Sequence, residues 1–213
     1  MYIDTAMGRA GGMTLANPDL KPEESDNFEI GLRFDNGILT ADAAVFYSDA
    51  SNYIAVTPIS NDVNQYTNVA NAETIGLELD ASLKLGKFEP YAVLTLLSRE
   101  YEENGFTTKK TGTPKLTARY GLRYADEYKS VAYRVNAWAQ TQTAVEYGYE
   151  DPADNIRYGG ATTFNLTAGA DFGPKRAYNV EAGLYNITDK LYQNNGSIYE
   201  AGRHFAVKLN AKF

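Results

Sequence analysis

Apolar residues recur at every second position through most of the chain, the spacing that sends alternate side chains to opposite faces of a β-strand. From Asn27 to Asp35, Phe28, Ile30, Leu32 and Phe34 alternate with Glu29, Gly31 and Arg33. From Thr74 to Leu85, Ile75, Leu77, Leu79, Ala81, Leu83 and Leu85 alternate with Gly76, Glu78, Asp80, Ser82 and Lys84. Leu116, Ala118, Tyr120, Leu122 and Tyr124 alternate with Thr117, Arg119, Gly121 and Arg123. Phe164, Leu166, Ala168, Ala170 and Phe172 do so with Asn165, Thr167, Gly169 and Asp171. The chain ends on Phe205, Val207, Leu209, Ala211 and Phe213, with Lys208, Asn210 and Lys212 between them. Four further strands are read over about 38–48, 88–101, 129–143 and 178–186, which makes nine in all. The stretch 88–101 alternates too poorly for its faces to be assigned, and no segment reads as an amphipathic helix.

The connections alternate in length. Short ones lie at Asp35–Gly37, Gly86–Lys87, Ala125–Tyr128 and Gly173–Ala177, and long ones at about 49–68, 100–114, 144–161 and 187–203. Asp-Asn-Gly and Gly-Pro supply positive or fixed φ, the chemistry of tight turns. Short turns at one end and long loops at the other are the pattern of a transmembrane barrel. A soluble sandwich or a lipocalin-like barrel also alternates, with its apolar face inward. Three features favour the membrane. Many strands run to nine residues or more, as a tilted bilayer crossing requires. Aromatics recur near strand ends, as in an interfacial girdle: Phe34, Tyr47, Tyr91, Tyr101, Tyr124, Phe172, Tyr178 and Phe213. The third feature is the loop rhythm itself. The expected fold is therefore all-β, an antiparallel transmembrane β-barrel.

Nine strands are an odd number, whereas bacterial barrels of this kind have an even one with both termini at the periplasm. The first strand ends in a short turn and so runs towards the periplasm. Residues 1–25 then form the end of an extracellular loop, and residues 26–213 the C-terminal strands of a partial domain. At least one more strand is expected before residue 26, so the chain reads as a fragment or a truncated product. Strands 26–34 and 204–213 should be the free edges of an open sheet.

Composition narrows the function. The 213 residues carry a net charge of −7 without a basic run, which argues against a nucleic-acid partner. There is no cysteine, hence neither a disulfide nor a cysteine metal site. The 17 tyrosines suit both strands and membrane interfaces. No run of apolar residues approaches the length of a transmembrane helix, and the first twenty residues lack the basic and apolar regions of a signal peptide.

Several stretches resemble the TonB-dependent outer-membrane receptors. Asn17-Pro-Asp-Leu-Lys-Pro-Glu-Glu-Ser-Asp-Asn-Phe-Glu-Ile-Gly-Leu-Arg-Phe34 looks like that family's NP-LKPE-S-N-E-G-R stretch and is the most specific motif. Asn68 to Leu79 resembles its N-A-I-G-E strand, and Pro114 to Leu122 a strand that follows a loop ending in proline. Val180 to Tyr192 resembles V-N-FDK-Y. Gly202-Arg203 resembles the PGR ending, with Ala201 where the family has proline. The ordered set spans about residues 17–213. The resemblance implies a barrel of about 22 strands with a plug inside, of which these nine would be the last. It implies localisation in the bacterial outer membrane and contact with its lipid. It also implies a TonB complex reached through an N-terminal plug outside this chain. The function so implied is energy-coupled uptake of a ferric siderophore or similar scarce nutrient, and the other reading is a passive porin-like or structural barrel. The terminal strand, ending on Phe213, resembles the signal read by the barrel-assembly machinery.

No enzyme and no cofactor are expected. His204 is the sole histidine, and nothing places a nucleophile beside it. A heme-ligand role is conceivable in this family, but a polar lumen residue is the favoured reading. Arg33, Arg119, Arg123 and Arg134 share the non-lipid parity of their strands and are expected to face the lumen. They either line a path for an anionic metal chelate or pair with Glu29, Glu78 and Asp80 or with the plug. Pairing is favoured, because lumen charges need partners. Tyr147, Tyr149, Arg157 and Tyr158, in the loop at 144–161, are the ligand-contact candidates, since tyrosines give stiff amphipathic contact surface. The sequons at Asn165, Asn186 and Asn195 read as chance, and Gly11-Gly12 precedes no helix that would make a phosphate loop.

Overall fold

Pairing of the period-two segments produces a single meander. The computed structural model describes residues 7–9, 12–60, 63–103, 105–195 and 198–212. Nine long strands run in chain order: β1 (Glu24–Asp35), β2 (Leu39–Ser60), β3 (Val63–Leu83), β4 (Phe88–Glu103), β5 (Leu116–Tyr128), β6 (Val131–Gln142), β7 (Ala161–Phe172), β8 (Tyr178–Tyr185) and β9 (His204–Ala211). Each pairs antiparallel with its neighbour in sequence. The tight turns are made as their residues suggest. At the first, Asp35 accepts from the Gly37 N–H and Asn36 from those of Ile38 and Leu39, with Gly37 at φ 82°.

The long connections are not irregular loops. β2 and β3 stay paired as far as Ser60 and Val63, well beyond the strand ends read from alternation. The register shifts between Ala50 and Ile54, where Asn52 takes φ 59°, and this bulge changes the phase of the pattern. Phe106–Thr108 folds back on β4, Val145–Tyr147 pairs with Ile156–Tyr158, and Gln193–Asn195 pairs with Ile198–Tyr199. Ahead of β1, Met7–Arg9 pairs with Gly12–Leu15, and Met13–Leu15 runs parallel to Val63–Gln65.

Register assigns every face, because residues directly opposite each other point the same way. Phe28, Ile30, Leu77, Leu79, Tyr120, Leu122, Leu166, Ala168, Val207 and Leu209 share one face. Glu29, Arg33, Glu78, Asp80, Arg119, Arg123, Asn165, Lys208 and Asn210 share the other. β4, ambiguous from its sequence, puts Phe88, Pro90, Ala92, Leu94 and Leu96 on the apolar face and Glu89, Tyr91, Val93, Thr95, Leu97 and Arg99 on the polar one. Val93 and Leu97 on the polar face are what blurred its alternation. The polar face is concave: Lys84, Glu89, Arg123, Asn136, Thr167 and Glu181, from six strands or their ends, line one hollow of about 470 Å³.

Among the described residues, no packed interior lies behind the apolar face. The buried apolar residues are mostly small, such as Ala50, Ala70, Ala72, Ala139 and Ala161, whereas Leu32 and Phe205 are each 79% exposed and Ile30 and Leu209 each 74%. A soluble sandwich would turn these side chains inward. A convex apolar face that covers the sheet needs an apolar solvent, which lipid supplies. β1 and β9 do not pair with each other. Each has one partner, and all their described residues are exposed, so the sheet is open along both edges.

Candidate functional site

The site is the concave face together with the hairpins at one mouth. On the face, the four arginines singled out from the sequence each meet a carboxylate or an aromatic ring. Arg33 pairs with Asp42 directly opposite it on β2. Arg123 pairs with Glu89 across β4–β5, and its guanidinium lies 3.9 Å above the Tyr91 ring. Tyr91 is held in turn by a 3.2 Å hydrogen bond that its hydroxyl donates to Asn136. Arg134 reaches Asp171 at 2.7 Å and Glu181 at 3.1 Å, crossing β7 over Gly169, where an added Cβ would come within 3.1 Å of its guanidinium. Arg119 lies 4.7 Å over Trp138. The partners are therefore Asp42, Glu89, Asp171, Glu181 and an indole ring, in place of the expected Glu29, Glu78 and Asp80. Cross-strand register selects partners, and spacing along the chain does not reveal it. Cations so matched attract a passing anion weakly.

From Trp138 an aromatic row continues to the free edge. Tyr185 meets Trp138 edge-on at 6.0 Å and stacks on His204 at 5.1 Å. His204 lies opposite Tyr185 on the concave face, with Nδ1 2.8 Å from the Gly202 carbonyl. Among the described residues, no group of three His, Cys, Asp or Glu side chains is placed to hold a metal ion.

At the mouth, a cleft of about 360 Å³ opens between Tyr101–Glu103 with Phe106–Thr111 on one side and the turn Tyr147–Glu150 on the other. Tyr147 and Tyr149 line it, with Tyr101, Glu103, Phe106 and Lys110 opposite. Gly112, at φ +72°, leaves room for the Tyr147 ring. Arg157 and Tyr158 stand outside the lining: Arg157 donates to Glu146 at 3.1 Å, and Tyr158 packs edge-on against Tyr147 at 6.3 Å. Phe213 lies outside the described residues.

Two clips hold these hairpins, each joining two of the sequence motifs. Asn68 accepts from the Lys21 N–H at 2.8 Å and donates to the carbonyls of Lys21 and Asn52 at 3.0 and 2.7 Å. Glu23 accepts from the Ile54 N–H at 2.9 Å. The NPDLKPE stretch is thereby fastened to the β2–β3 hairpin. Asn186 is buried at φ 47°, bonds the Lys190 and Ala201 carbonyls and the Lys190 N–H, and donates its own N–H to Asn165. Asp189 accepts from the Arg203 N–H at 2.7 Å. These asparagines stood inside recognised motifs, but their clipping roles depend on segments up to 47 residues apart. Asn68→Ala removes three bonds, a loss of about 1–3 kcal/mol for the groups left unsatisfied. Amide exchange at residues 19–23 in the folded parent is expected to rise tenfold or more, and unchanged protection there would refute the clip.

The sequence profile of the TonB dependent receptor-like β-barrel matches residues 2–187. The chain belongs to this family. The TonB-dependent receptors it is similar to include the iron-regulated outer membrane virulence protein of Vibrio cholerae, 26% identical over 95% of this chain and 33% of that protein. They also include the vitamin B12 transporter BtuB of Photobacterium profundum, 28% identical over 83% of this chain and 28% of that one. Among solved structures, the FrpB iron transporter from Neisseria meningitidis superimposes with a TM-score of 0.77 at 17% identity, over 95% of this chain and 33% of that chain. The chain thus spans about a third of the length of its relatives. The family is one of receptors and transporters rather than enzymes, and this receptor barrel resides in the outer membrane. In bacterial outer-membrane barrels the long loops are extracellular and the short turns periplasmic.

Proposed function

We propose that this chain forms the C-terminal wall of an energy-coupled uptake receptor that imports a ferric siderophore or a similar scarce nutrient across the outer membrane. The observation that carries this reading is the family match over residues 2–187; the described strands form an open sheet with an apolar convex face and a concave one whose arginines meet carboxylates or rings. In the whole receptor, residues 1–25 close an extracellular loop and residues 26–213 supply the last strands of a barrel of about 22. A plug fills the barrel and is shifted by TonB. The tyrosine-lined cleft at the mouth makes first contact with the cargo, and the arginines, already partnered, present the plug with little free positive charge. The barrel-assembly machinery engages the terminal strand through Phe213.

The test uses the full-length receptor in a strain lacking its own ferric-chelate receptors, with and without TonB, supplied with radiolabelled iron on a panel of siderophores. Saturable accumulation that stops without TonB is expected for one chelate class. Tyr147→Ala with Tyr149→Ala should weaken its binding by roughly thirtyfold, since rings at a contact contribute about 1 kcal/mol each. Equal, non-saturable entry with and without TonB would identify a passive pore and overturn the proposal.

A further inference from the structure

The convex face is not electrostatically uniform from end to end. At its extracellular end, the outward positions Glu24, Asp26, Asp49, Glu73, Glu100 and Glu102 follow one another across β1 to β4. One of them, Glu100, has a lysine partner, Lys109 at 3.4 Å. At the periplasmic end the balance reverses. Three neighbouring turns carry Lys87, Lys129, Lys175 and Arg176 against Asp126 and Glu127. Both carboxylates are already engaged. Asp126 accepts from Lys87 at 2.6 Å and from the Tyr133 and Tyr124 hydroxyls at 2.9 and 3.0 Å. Glu127 pairs with Arg176, which sets the turn after β5 beside the turn after β7. Lys129 and Lys175 are left exposed, with no carboxylate within ion-pair distance among the described residues.

Both free lysines hold the left-handed conformation, Lys129 at φ 55° and Lys175 at φ 52°. Glycine or asparagine occupies that conformation at lower cost, so lysine stands there against local preference. Aromatic rings stand at the same end of the sheet. Phe172 and Tyr178 pack at 5.7 Å and Phe88 and Tyr124 at 5.0 Å on the outward face, and the exposed Tyr128 ring lies 5.3 Å from the Lys129 ammonium. An ammonium standing over exposed rings at a membrane boundary matches a lipid with a phosphate headgroup and an apolar body.

We propose that the periplasmic rim of the convex face binds anionic phospholipid through Lys129 and Lys175, while the acidic extracellular end of the same face repels it. The assignment rests on the reading of this chain as an outer-membrane barrel whose tight turns are periplasmic. The full-length receptor, folded in vesicles of phosphatidylcholine doped with phosphatidylglycerol of the same acyl chains, is extracted gently, and its retained lipids are counted by native mass spectrometry. Phosphatidylglycerol should be enriched over its bulk fraction. The variant K129N/K175N, with asparagine chosen to tolerate positive φ, should cut that enrichment roughly fivefold for each lysine removed. K129R/K175R should keep it, and raising salt from 0.05 to 0.5 M, which shortens the screening length, should reduce it in the parent. Should the asparagine variant fail to fold, the arginine variant and the salt series still decide. Absence of enrichment, enrichment indifferent to salt, or enrichment unchanged in K129N/K175N would overturn the assignment. Uptake measured on the same protein separates this failure from failure of the transport reading.

Discussion

Expressed as these 213 residues alone, the protein is expected to carry no solute and no current across a bilayer, and to run in unheated gels as an unfolded or aggregated species. β1 offers an edge of 12 residues and β9 one of 8, and neither has a partner on its outer side. In hydrocarbon each unpaired backbone N–H or C=O costs several kcal/mol, which is why membrane-spanning sheets close on themselves. Closing this sheet would require β1 to pair with β9. In the structure they do not meet: β1 pairs with β2 and β9 with β8, with seven strands between them. Planar-bilayer conductance and heat-modifiability measure the outcome. A discrete conducting pore with β1 crosslinked to β9 would show that the sheet closes by itself.

Gly121→Val in the full-length receptor should abolish most of the folded yield. Gly121 lies mid-strand on β5, between Tyr91 on β4 and Trp138 on β6. A Cβ added there would sit 2.5 Å from the Ala137 carbonyl oxygen and 2.7 Å from the Trp138 Cβ. These atoms belong to or adjoin the backbone and cannot swing aside, so the β5–β6 ladder would have to open. The two arginine–ring stacks flanking it, Arg119 on Trp138 and Arg123 on Tyr91, would be disturbed together. Overpacking ordinarily costs about 1–3 kcal/mol, and an obstacle of backbone places this substitution at or above the upper end. Two other glycines calibrate the result. At Gly76 the obstacle is the Phe46 ring, which can rotate into the lumen, so Gly76→Ala should cost less. At Gly159 nothing lies within 4 Å, and Gly159→Ala should be close to neutral. Urea unfolding of the three variants in vesicles gives the order, and equal stability of all three would refute the packing account.

Much of this architecture was legible in the residues, and the part that was not has a common cause. Alternation is local: a side chain's parity follows from its position along its own strand. Phe28 against Glu29, Leu77 against Glu78 and Leu166 against Asn165 could therefore be separated without knowing any neighbour, and the tight turns at Gly37, Gly86 and Gly173 were marked by residues suited to positive φ. The open edges followed from counting strands. What the chain could not disclose is what lies across each strand. The face of β4 became clear only from Leu94 opposite both Leu79 and Ala118, because Val93 and Leu97 on its polar side mask the pattern. The β2–β3 hairpin continued through a stretch read as loop because the bulge after Ala50 resets the alternation. The arginines found Asp42, Glu89, Asp171 and Glu181 through register, and Asn68 found Lys21 through the docking of a segment 47 residues away. Facing is decided within a strand and partnership between strands, so the sequence determined the two surfaces of this wall, and only the tertiary structure decided which groups on them meet.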